Sequence, residues 1–92
     1  ALIAYEEALV IYKKTLPNHH PKIGINLMNT AILLRNDESF GEAINNLEEA
    51  IILFKKDEEK YSIRIGFALF QLGITYEKMK KLPEAKSYYQ QA

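Results

Sequence analysis

The sequence predicts an all-α chain built as a stack of antiparallel helix pairs. First, its 92 residues match themselves at a shift of 42. Tyr5-Glu6-Glu7-Ala8 recurs as Leu47-Glu48-Glu49-Ala50 and again as Tyr89-Gln90-Gln91-Ala92. Second, Ile23-Gly24 returns as Ile65-Gly66, Leu27 as Leu69, Ile32 as Ile74 and Glu42-Ala43 as Glu84-Ala85, all at the same offset. Third, the apolar spacing is helical throughout, with no alternation long enough to suggest a strand. A fixed period of this size marks a stacked repeat. Such arrays work as surfaces more often than as catalytic pockets.

The elements follow in order. A first helix is predicted near 2–14, where Ala4, Ala8, Ile11 and Tyr12 share a face. Leu16 to His20 is a loop. Pro21 then opens a second helix, 21–36, because a first-turn position has no use for the missing N–H. His20 stands at its N-cap. Ser62, one period later, is the better cap, which sets the fourth helix at 63–80. Asn36 to Ser39 is a polar turn leading to a third helix, 40–56. Asp57 to Lys60 reads as a solvated charged link. Lys78, Lys80 and Lys81 favour the end of the fourth helix. Pro83 opens a fifth helix, 83–92. Gly24 and Gly66, at equivalent places, suggest close packing against the preceding helix. The whole, residues 1–92, is expected to form one repeat domain. The missing initiator Met, and helical patterning at both ends, lead us to expect part of a longer array.

Composition narrows the function. Twelve basic and twelve acidic residues cancel, which argues against nucleic acid as partner, since phosphates need a basic stripe. No apolar run nears the roughly 20 residues of a membrane span, so no membrane partner is expected. The absence of cysteine excludes disulfides and thiolate metal sites and fits a cytoplasmic location. His19 and His20 are the only histidines, adjacent in a loop, and no metal site is expected from them. The paired glutamates at 6–7 and 48–49 recur with the repeat and mark a solvated face. The glycines are isolated, so no phosphate loop exists. Neither cofactor nor enzymatic activity is expected.

Leu69, Leu72, Gly73 and Tyr76, followed by Ala85, Tyr89 and Ala92, resemble the tetratricopeptide repeat (TPR), which reads W-x-x-L-G-x-x-Y and then A-x-x-x-F. One period earlier stand Leu27, Thr30, Ala31, Leu34, Ala43, Leu47 and Ala50, where Thr30 and Ala31 depart from Leu-Gly. Ala1, Tyr5 and Ala8 fit the second helix of a repeat. The family's repeat is about 34 residues. The longer period here, with His20-Pro21 opening a helix, resembles the kinesin light-chain-like subclass, although Ser62-Ile63 lacks that dipeptide. The resemblance implies a TPR-type α-solenoid, a right-handed superhelix of about five helices in antiparallel pairs. The first helix of each pair would line a concave, peptide-holding face.

The residues give that face a lining. Leu27, Thr30, Ala31 and Leu34 form one stripe of the second helix, and Ile25, Met28 and Ile32 a second. The fourth helix divides likewise into Leu69, Leu72, Gly73 and Tyr76 against Phe67, Phe70 and Ile74. A helix apolar on two faces must bury both. One stripe serves the pair. The other is expected to line an apolar groove for a peptide or partner helix: Ile25, Met28, Ile32, Phe67, Phe70 and Ile74, with Asn29 and Gln71 supplying hydrogen bonds. Arg35 and Lys78 fall at its edge, and no clamp for a terminal carboxylate is expected. Two readings stand at this point. One is a protein- or peptide-binding module in a scaffold or regulatory protein. The other is a structural segment whose apolar faces serve stacking or self-association.

Overall fold

The computed structural model describes residues 2–15 and 21–92. Its helices are α1 (Leu2–Thr15), α2 (Pro21–Asn36), α3 (Phe40–Phe54), α4 (Ser62–Lys78) and α5 (Leu82–Gln91), with a 3-10 turn at Lys55–Asp57 between α3 and α4. No strand occurs among the described residues. The fold is an all-α solenoid of the TPR type.

The pairs form because one helix face in each is small and apolar. Ala43, Leu47, Ala50 and Phe54 of α3 are buried against Ile23, Leu27, Ala31 and Leu34 of α2. Phe54, at the end of α3, meets Gly24, at the start of α2, so the two run antiparallel. In the second pair Tyr89 lies over Gly73, and Tyr88 stacks on Tyr76 with ring centroids 5.3 Å apart. Each glycine is where a ring needs the space. A Cβ at Gly24 would lie 2.6 Å from the Phe54 ring, and one at Gly73 2.5 Å from Tyr89. The sequence reading placed Gly24 against the preceding helix; its neighbour is the following one. Gly66 meets no ring, its nearest atom being the Ala92 carbonyl carbon at 4.0 Å.

The turns repeat as well as the helices. Glu38 and Lys80, one period apart, both have positive φ, 62° and 63°. After α2, the Ser39 N–H donates to the Leu34 carbonyl and Glu38 to Arg35. After α4, Lys81 donates to Tyr76 and Lys80 to Glu77. This is the Schellman closure, usually made with glycine. Lys80 and Lys81 therefore lie beyond α4 rather than in its last turn.

Four further expectations are corrected. Ser62 is the first residue of α4, not its cap. The preceding Tyr61 takes that position and no side chain caps the helix. The link coils directly into α4: Tyr61 N–H donates to the Asp57 carbonyl, and Tyr61 carbonyl accepts from Ile65. The Tyr61 ring, 5.4 Å from Phe54, holds it there. The α-helical part of α3 stops at Phe54, and the charged residues after it tighten into the 3-10 turn. In α1, Leu9 and Tyr12 pack on the core, while Ala4 and Ile11 are exposed. The expected His20 cap lies outside the described residues. Glu49, read as merely solvated, pairs with Lys13 at 3.3 Å and ties α1 to α3.

Candidate partner-binding groove

Residues near the starts of α2 and α4 share one cleft, and residues near their ends share another. The two helices therefore run side by side in the same direction and form one continuous face. The first cleft, about 480 Å³, is lined by Ile25, Met28 and Asn29 of α2, by Lys60, and by Ile63, Arg64 and Phe67 of α4. The second, about 460 Å³, is lined by Arg35, Asn36, Glu38, Phe40 and Lys78. From Ile25 to Arg35 is about 15 Å along a helix.

The structure divides the expected lining. Ile25, Met28, Asn29 and Phe67 come together in the first cleft. Met28 is only 4% exposed and forms its floor. Phe67 stands 45% exposed and Phe70 46%. Phe70 is turned toward α5, its ring 5.5 Å from that of Tyr89. Ile32 and Ile74 are half-buried between the clefts. Gln71 does not serve a ligand in this arrangement. It is 7% exposed, and its Oε1 accepts a hydrogen bond from the Arg35 guanidinium across the α2–α4 contact. A polar side chain at a helix crossing is retained when it is paired, and here the pair joins the two repeats.

Sequence reasoning missed Lys60, Ile63 and Arg64. Ile63 lies one turn before Phe67, so extending the Phe67, Phe70, Ile74 stripe backwards would have found it. The cations carried no such signal, because the link that supplies Lys60 has no periodicity. Lys60 Nζ sits 5.5 Å above the Tyr61 ring, a cation–π contact that holds it near the cleft. Asn26 was missed too: it is buried, and its Oδ1 accepts from Thr30 Oγ1 at 3.3 Å. It lines a smaller cleft, about 200 Å³, with Tyr5, Tyr12, Lys22, Ile25 and Asn29. Ile25 and Asn29 are thus a ridge shared by two depressions.

Electrostatically the first cleft has basic side chains on its rim and no carboxylate in its lining. At the far end, Arg35 and Lys78 line one cleft with Glu38. Burial lowers the Arg35 pKa from its ordinary value, and Tyr89 acts in the opposite sense. Arg35 Nε is buried without a partner.

Among the described residues, no cluster of three or more His, Asp or Glu could hold a metal ion, and no helix is long and apolar enough to cross a membrane. Comparison with curated proteins returns no match. The sequence profile described as tetratricopeptide repeat matches residues 23–92. That span takes in both helix pairs, the Gly73–Tyr89 contact and the groove, and the chain belongs to the tetratricopeptide repeat family.

Proposed function

We propose that this chain is a protein-interaction module that holds a peptide or partner helix in the groove between α2 and α4, within a cytoplasmic scaffold or regulatory protein. Tetratricopeptide repeats generally mediate protein–protein interaction and are typically non-catalytic. The observation that supports the groove is the half-exposed Phe67 beside a cleft floored by Met28. An aromatic side chain left half in water costs solvation, and a partner's apolar side chain recovers it. Aromatic residues at the edge of an apolar depression are the usual anchors of a binding surface. Phe70, Ile32 and Ile74 extend the apolar path, and Asn29 offers hydrogen bonds on its ridge. The balanced net charge and the lack of a basic stripe favour protein over nucleic acid.

The test is selection of peptides from a random library on the 92-residue chain. Binding of a selected peptide is then compared between the native chain, Phe67→Glu and Ile52→Glu. Ile52 is 63% exposed on α3, outside the groove lining. Phe67→Glu weakens binding by tenfold or more and Ile52→Glu leaves it within twofold. Equal losses at both sites, or none at Phe67, reject the groove.

A further inference from the structure

Within each pair, a ring seated on a glycine fixes one helix to the other, Phe54 on Gly24 and Tyr89 on Gly73. The contact between the pairs has no such key. Between the two clefts, α2 and α4 present Ile32 and Ile74, both half-buried. Aliphatic contact is non-directional, so a small slide of one helix along the other leaves it nearly unchanged. A hydrogen bond is directional. The guanidinium of Arg35, in the last turn of α2, donates to Gln71 Oε1 of α4. Gln71 stands one turn after Phe67 of the first cleft, and Arg35 lines the second, so the bond lies between the two.

This bond is a poor way to gain stability. Gln71 is 7% exposed, and Arg35 is half-buried with its Nε shut off from water and unpartnered. Burial disfavours the charged guanidinium, and the Arg35 pKa is lowered accordingly. Among the described residues, no carboxylate pairs with Arg35. A neutral amide thus meets a charge that a carboxylate would satisfy better. Two apolar side chains would fill the crossing without that desolvation, and such replacements of buried polar pairs are often neutral or stabilising. What an apolar pair lacks is a single preferred register, and fixing register is the best-attested use of a buried polar contact.

We propose that Arg35 and Gln71 are a positioning pair, whose hydrogen bond sets how α4 lies along α2 and with it the width of the first cleft, while adding nothing net to stability. Met28 and Asn29 line that cleft from α2, and Arg64 and Phe67 line it from α4. A slide of α4 therefore carries one wall past the other. The pair does not touch a ligand in the first cleft; it acts through the placing of Phe67 against Met28. The effect on binding rests on the groove reading, whereas the effect on register does not.

The test compares the native chain with the double variant Arg35→Met/Gln71→Met and with Gln71→Glu, which keeps an acceptor for the guanidinium. Spin labels on Asn45→Cys and Ser87→Cys report the register. Both positions are exposed and stand one period apart on α3 and α5, and the sequence has no native cysteine. The double variant unfolds in urea at the native midpoint or above it, while its label-to-label distance distribution shifts or at least doubles in width. It binds a library-selected peptide about tenfold more weakly, the loss expected when about a tenth of the molecules hold the binding geometry. Gln71→Glu keeps the native distance and binds within twofold. An unchanged distance in the double variant, or a shifted one with native affinity, overturns the proposal. So does a lowered midpoint or a failure to fold, which makes the pair an ordinary stabilising contact. A Gln71→Glu chain that behaves like the double variant overturns it too. If Phe67→Glu leaves peptide binding unchanged, the groove reading fails, and the distances and midpoints alone decide the role of the pair.

Discussion

The two helix pairs share a register but not a way of closing it. In α2–α3 a phenylalanine at the end of the second helix sits on a glycine at the start of the first. In α4–α5 the ring-on-glycine contact lies further along the first helix, where Tyr89 covers Gly73. The first pair buries mostly aliphatic groups around Phe54. The second relies on stacked tyrosines with polar tips. One sequence period therefore seats a ring on a glycine in both pairs, but at different places along the helix.

The strongest break is Phe54→Ala. The side chain is 1% exposed, and removing a buried ring costs about 3–5 kcal/mol, a large part of a small domain's stability of about 5–15 kcal/mol. Urea unfolding followed by circular dichroism should show it. A smaller change, but of opposite sign in the two pairs, is alanine at the equivalent glycines. Gly24→Ala drives a Cβ into the Phe54 ring and should cost about 1–3 kcal/mol through overpacking. Gly66→Ala meets nothing within ordinary contact and should gain up to about 1 kcal/mol from helix propensity. Equal effects at the two sites would mean that the pairs are alike after all.

The shared turns should respond alike. Glu38→Gly and Lys80→Gly relieve a left-handed residue in each Schellman closure, for a gain of about 0.5–1 kcal/mol apiece. The smallest effect is alkaline. Burial raises the Tyr76 pKa, with Tyr88 adding to it. Tyr89 is raised by burial and by its hydrogen bond to Glu77. A raised folded pKa means that the neutral phenol is favoured in the native state. The contribution is then complete below the ordinary tyrosine value of about 10 and fades as pH rises through the raised pKa. Mild destabilisation above that pH, with delayed tyrosinate absorbance, should appear in the native chain and shrink in Tyr76→Phe.

The groove was legible where it rested on periodicity and illegible where it rested on neighbours. Ile25, Met28 and Phe67 follow from a second apolar stripe, because a helix cannot hide two faces in one pair. Gln71 falls on the same stripe, yet only the reach of Arg35 across from α2 decides that it is a buried tie and not a ligand donor. Lys60 enters through a link whose path depends on Tyr61 packing on Phe54.

The sequence by itself determined the all-α repeat and which positions pair within it, because side-chain spacing and the 42-residue recurrence are local properties of the chain. The packing between helices settles which ring each of Gly24 and Gly73 receives, and which polar side chains face each other rather than water. Those outcomes depend on distances between helices, which side-chain spacing along one helix does not encode.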